Sequence, residues 1–129
     1  MSQRIASVTL VVADYDAAIA FYTQALGFEL LEDSPRENGK RWVRVAPVGA
    51  ETALLLAKAD GAQQSVRVGD QTGGRVGFFL HTDNFARDHA AMIANGVQFL
   101  ENPRSEAYGS VAVFQDLYGN RWDLLELKQ

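Results

Sequence analysis

The sequence predicts an α+β fold: two tandem βαβββ modules that form a curved mixed sheet around a cleft, with the helices on the convex side. Three observations predict it. A strand followed by a helix occurs twice, and its landmarks lie 69 residues apart both from Asp14 to Asp83 and from Gly27 to Gly96. Strand-like segments follow each helix. The chain has 129 residues, 47% hydrophobic and 22% charged, which suits a single soluble domain whose halves each lack the apolar surface for a core of their own.

The first strand covers Ile5 to Ala13, a run of apolar and β-branched residues ending at Asp14, whose short carboxylate suits a helix N-cap. Ala17, Ala18, Ile19, Phe21, Tyr22, Ala25 and Leu26 then supply an apolar helical face, and Gly27 provides the left-handed stop. Phe28 to Leu31 begins the next strand, and two more are expected near Arg41–Ala46 and Thr52–Ala57. Lys58–Gly74, polar and carrying four glycines, reads as a connector and not as an element. Module 1 is thus placed at about 4–57, the connector at 58–74 and module 2 at about 75–129.

The second module starts with Arg75 to Thr82, takes Asp83 as its helix cap, and places Phe85, His89, Met92 and Ile93 on one helical face before Gly96. Val97–Leu100, Gly109–Gln115 and Arg121–Leu127 supply its remaining strands, the last two joined by a turn at Asp116–Asn120 in which Gly119 and Asn120 are expected to take positive φ. Alternation assigns the faces. Val8, Leu10 and Val12 point to the helix and Ser7, Thr9 and Val11 to the cleft; Gly77, Phe79 and His81, and Arg121, Asp123 and Leu125, take the cleft side of module 2.

Twelve Lys and Arg against sixteen Asp and Glu leave a net charge of −4, which argues against a nucleic-acid partner. The absence of Cys excludes disulfides, thiolate metal sites and a Cys nucleophile. No apolar run approaches the roughly 18 residues of a membrane span, and the N-terminus carries no apolar signal region, so the expected location is the cytoplasm, without a membrane partner.

Two segments carry a family resemblance. Val8–Asp14 with Ala20–Phe28, and Phe114–Leu125 with its Asp, Gly-Asn turn and acidic residue before Leu, resemble the vicinal oxygen chelate superfamily, which groups glyoxalase I, extradiol dioxygenases, fosfomycin-resistance transferases and bleomycin-resistance proteins. The resemblance covers nearly the whole chain and implies a single glyoxalase/bleomycin-resistance-like domain and a homodimer. It also implies four metal-ligand positions, usually His and Glu, two from each module. Here they fall on Ser7, at or next to Leu55, Gly77 and Asp123, and only Asp123 retains a group suited to a divalent ion. No cofactor is therefore expected. A shifted metal site using His81, Asp123 and Glu51 is the alternative.

Several residues are candidates for the cleft. His81 is a base, ligand or hydrogen-bond donor, or else a His satisfied by backbone. Asp123 either touches a ligand or pairs with Arg121, the latter preferred. Trp42 and Arg44 share one strand face and set an aromatic plate next to a guanidinium. Arg104, Glu106 and Tyr108 lie in a loop at the cleft rim, where Arg104 and Glu106 are able to pair; His89 is a packing residue with a polar tip.

The reading that follows is a protein holding a small organic molecule without the usual metal, similar to the bleomycin-resistance branch, with Trp42, Phe79 and Tyr108 enclosing the ligand and Arg44, His81 and Asp123 orienting it. Its rivals are a metal-dependent lyase or dioxygenase with a rearranged site, a metal-free isomerase using His81 as base, and a structural or regulatory protein with a filled cleft.

Overall fold

The computed structural model describes residues 2–129. The chain divides into two compact units, Met1–Val68 and Gly69–Gln129.

In the first unit, β1 (Ser7–Val12), β2 (Glu29–Pro35), β3 (Arg41–Ala46) and β4 (Ala53–Lys58) form a sheet in the order β1-β4-β3-β2. Only β1 and β4 run parallel, with Ser7 opposite Ala53 and Thr9 opposite Leu55. Helix α1 (Tyr15–Ala20) packs on β3 and β4. Asp14 caps it as the sequence predicts, accepting the Ala17 N–H at 2.7 Å. The apolar positions of the strands sort cleanly: Leu10, Val12, Val43, Val45 and Leu56 are fully buried, each contributing about 1.5–3 kcal/mol of hydrophobic stabilisation. Val8 departs from the expected pattern and stays 44% exposed at the start of the edge strand β1.

The helix does not run regularly to its stop. Phe21–Ala25 widen into a π-turn, in which the Leu26 N–H reaches back to the Phe21 carbonyl at 3.2 Å. The Thr23 hydroxyl donates to the Ile19 carbonyl at 2.7 Å, and the wide turn brings the buried Tyr22 ring 5.7 Å from Phe28. Gly27 then takes φ +76, the left-handed stop its sequence position predicts. A lock closes the other side of the unit. Arg41 pairs with Asp33 at 2.7 Å and Asp16 at 2.9 Å, while the Tyr15 hydroxyl accepts the Arg41 backbone N–H.

The connector is less featureless than its composition predicts, since β4 extends to Lys58 and one helical turn, α2 (Ala62–Ser65), follows.

In the second unit, β5 (Val76–His81), β6 (Gln98–Phe99), β8 (Gly109–Gln115) and β9 (Arg121–Leu127) are ordered β5-β9-β8-β6, and β7 (Arg104–Glu106) also pairs with β8. The order reproduces that of the first unit, so the predicted duplication is a duplication of topology. Helix α3 (Phe85–Ala94) begins one residue later than expected. Its cap is Asn84, whose side-chain oxygen accepts the Arg87 N–H at 3.0 Å; Asp83 instead pairs with the Arg87 guanidinium at 3.0 Å. His89 packs between the rings of Phe85 and Phe99, at 5.4 and 4.4 Å, the packing role assigned to it.

The segment expected to be a rim loop is a strand. Arg104–Glu106 pair with Gly109–Val111, and together β6 and β7 take the place along β8 that β2 takes along β3. They are interrupted around Pro103, which has no N–H for a ladder. The closing turn also differs from expectation at one residue. Gly119 has φ +104 but Asn120 does not take positive φ. Asn120 works through its side chain, donating to Asp116 at 2.9 Å, while the other Asp116 carboxylate oxygen accepts the N–H groups of Tyr118, Gly119 and Asn120.

Among the described residues no helix is long and apolar enough to cross a membrane.

Candidate functional site

In each unit the helix covers one face of the sheet, and the candidate residues lie on the other. In the first unit this face carries Ser7 and Thr9 from β1, Trp42 and Arg44 from β3, and Leu55 from β4, because alternate residues of a strand share a side. Leu55 lies between Thr9 and Arg44 in the register. The Arg44 Nε–H donates to the Ser7 hydroxyl oxygen at 3.1 Å. Trp42 remains 39% exposed, with the Arg36 guanidinium 5.6 Å from its ring centre.

In the second unit Asp123 sits at the centre of β9, between Phe79 of β5 and Val113 of β8. Phe79 is 62% exposed and Tyr108 is 48% exposed, whereas Leu125, expected to share the open face, is buried opposite Val111. The expected Arg121–Asp123 pair is not formed: Arg121 donates to the Gly74 carbonyl at 3.1 Å, and the buried Asp123 Oδ1 has no hydrogen-bond partner. Burial pushes the Asp123 carboxyl up; the nearby Glu101 charge adds to this and the Arg104 charge opposes it.

Arg104 pairs with Glu106 at 3.1 Å, as its sequence position allows, but its firmer hold is on Glu101, at 3.0 Å. The same Glu101 carboxylate accepts the Val113 backbone N–H at 3.0 Å, filling the ladder position that the break between β6 and β7 leaves open. Arg104 is therefore committed to the strand edge.

His81, at the end of β5, is exposed and lines an open depression of about 490 Å³ with Asp83, Glu126 and Lys128. Its neighbour Thr82 is engaged, its hydroxyl donating to Asp88. Glu126 is engaged as well, accepting the Phe85 N–H at the start of α3 at 2.6 Å.

The duplicated topology, with each helix on one sheet face and chemistry-bearing side chains on the other, is matched by a family model described as the Glyoxalase/Bleomycin resistance protein/Dioxygenase superfamily over residues 4–124. The chain belongs to this superfamily. An uncharacterised protein of Shewanella frigidimarina is 50% identical over 98% of this chain and 96% of its own length. Among solved structures, UcmS2 is 32% identical with a TM-score of 0.84, covering 97% of this chain and 98% of its own. TnmS3, described as an antibiotic binding protein from Streptomyces sp. CB03234, is 30% identical with a TM-score of 0.79, covering 98% of each chain.

Superfamily enzymes with a metal need donors at the four positions named from sequence, and the residues present do not fit a divalent ion. The Ser7 oxygen already accepts from a guanidinium, whose positive charge would repel a cation. Leu55 has no donor. A Cβ on Gly77 would stand 2.7 Å from Thr72 Cγ2, so a side chain at that position requires the threonine to shift. Asp123 alone remains. The shifted set is no better supported: among the described residues no group of three His, Asp or Glu gathers with metal-binding geometry, and Glu51 lies exposed in the turn before β4.

Two participants escaped the sequence reading. Glu101 was legible only through its spacing of three from Arg104, which on a strand carries no meaning until the break at Pro103 is known. Thr72 lies in a polar stretch, and its place against Gly77 is a tertiary contact that local pattern does not encode.

Proposed function

We propose that this protein binds a small organic molecule on the open faces of its sheets, without the divalent cation used by metal-dependent members of the superfamily and without breaking a bond. The observation that carries this reading is the pairing, in each unit, of an uncovered aromatic ring with an incompletely satisfied polar group: Trp42 with Arg44, and Phe79 with Asp123. An exposed ring offers apolar area, and a polar atom lacking a partner is a penalty that a ligand removes on binding. Tyr108 adds a third ring, and His81 a titratable group beside an open depression. Arg104, held by two carboxylates, positions Glu101 and the edge of β8. The likeness to an antibiotic binding protein over 98% of both chains supports the same class of function. The protein is proposed to act as a cytoplasmic homodimer, with neither nucleic acid nor membrane as partner.

A thermal-shift screen with cationic drugs and small aromatic metabolites tests the reading. A ligand at one hundred times its Kd stabilises by about 2.7 kcal/mol, a rise of several degrees in Tm. At least one compound is expected to produce such a rise and to lose most of it on Trp42→Ala. A screen in which nothing stabilises the protein removes the proposal.

A further inference from the structure

From the first unit we infer that the bound molecule carries a carboxylate, or an equivalent anionic oxygen pair, on a flat ring, and that Arg44 with Ser7 is its recognition site. The inference rests on the binding reading above and narrows it to a ligand class.

Arg44 is a half-buried cation that forms no ion pair among the described residues. Glu32 stands directly opposite it in the β2–β3 register, yet the Glu32 carboxylate accepts from the Ser34 hydroxyl at 3.1 Å and lies 3.9 Å from Arg36. The other neighbour across the strands is Leu55. The Nε bond to Ser7 is the sole polar contact of the Arg44 side chain among the described residues. A guanidinium meets a carboxylate through either of two edges, Nε with one Nη or the two Nη groups end-on. Ser7 occupies Nε, which fixes the plane and leaves the end-on edge. The Ser7 hydroxyl, accepting from Arg44, keeps its own hydrogen to donate.

Trp42 stands two residues along the same strand face, its backbone roughly 7 Å from that of Arg44. Arg36 approaches one side of its indole, and 39% of the residue is still uncovered. A flat acid held end-on by Arg44 has the uncovered Trp42 ring on the same sheet face to lie against. With a net charge of −4 the protein as a whole does not attract anions, so recognition is local to this fork.

Isothermal titration calorimetry with 2-naphthoate, 2-naphthamide and 2-naphthylmethylammonium tests the inference on the 129-residue chain. Naphthoate is expected to bind saturably, and the amide about tenfold or more weakly. Arg44→Lys, which keeps the charge but loses the fork, is expected to weaken naphthoate about tenfold and the amide by less. Ser7→Ala is expected to weaken naphthoate severalfold. Circular dichroism and melting of Arg44→Lys and Arg44→Gln confirm that the variants are folded. Equal binding of acid and amide, or full naphthoate affinity in folded Arg44→Lys, overturns the inference. Saturable binding of the ammonium compound alone overturns it while leaving the small-molecule reading intact. Binding by none of the three also overturns it, and the wider thermal-shift screen then decides the small-molecule reading separately.

Discussion

Gly77 and Thr72 share a space that holds only one of their side chains: a Cβ on the glycine would lie 2.7 Å from the threonine methyl group. The threonine is held there by its hydroxyl, which donates to the Arg75 carbonyl at 2.6 Å. The lack of a side chain at Gly77 is thus matched by the threonine methyl packed beside it.

Gly77→Ala is expected to cost about 1–3 kcal/mol through overpacking. Thr72→Ser keeps the hydroxyl and removes the methyl, so in that background the same substitution costs at least about 1 kcal/mol less. Denaturant unfolding of the four proteins of the cycle measures the coupling; additivity contradicts the contact.

Asp123 makes stability fall as pH rises. Burial raises its folded-state pKa above that of the unfolded chain, about 3.9, so the folded protein holds the proton more tightly. Wild type therefore loses stability between the unfolded and folded values and stays lower above them. Asp123→Asn lacks that loss, and melting curves of the two proteins should diverge in the variant's favour as pH rises through this window. Parallel curves contradict the assignment.

The duplicated topology was legible because it rests on repeated local signals: Asp14 as a cap, Gly27 and Gly96 as stops, and period-two alternation at Leu10 and Val12 of β1 and at Trp122 and Leu124 of β9. What escaped depends on competition between neighbours. Asn84 displaces Asp83 as the cap because its amide oxygen reaches the Arg87 N–H while the Asp83 carboxylate is drawn to the Arg87 guanidinium. Arg121 leaves Asp123 for the Gly74 carbonyl, a partner 47 residues away in sequence. At the candidate site, the shared face of Trp42 and Arg44 followed from alternation, but the Arg44–Ser7 bond reaches across β4 to a strand 37 residues away in sequence, which no local pattern encodes.

Glu101 substitutes for a strand. Glu101→Ala leaves the half-buried Val113 N–H without its acceptor and frees Arg104, with an expected cost of about 1–3 kcal/mol. Amide hydrogen exchange at Val113 should accelerate more than at Phe114, whose N–H points to the other neighbour, β9. Unchanged protection at Val113 rules out the substitution role.

Asp88 acts in the opposite sense to Asp123. Burial raises its pKa, but the bonds from Arg87 and the Thr82 hydroxyl outweigh it and hold the carboxyl below its ordinary value. Its contribution is present above the unfolded-chain pKa and is lost as pH falls through the lower folded value. Asp88→Asn is expected to flatten the acid limb of the stability profile. An acid limb as steep as that of wild type contradicts this.

The proposed binding of an organic molecule without a divalent cation is tested most directly by metal content. Purified protein, stripped with chelator and dialysed against Ni²⁺, Mn²⁺, Fe²⁺ or Zn²⁺ in turn, is predicted to retain well under one equivalent by elemental analysis and to show no metal-dependent rise in Tm. One tightly retained equivalent, lost in Asp123→Ala, would contradict the account.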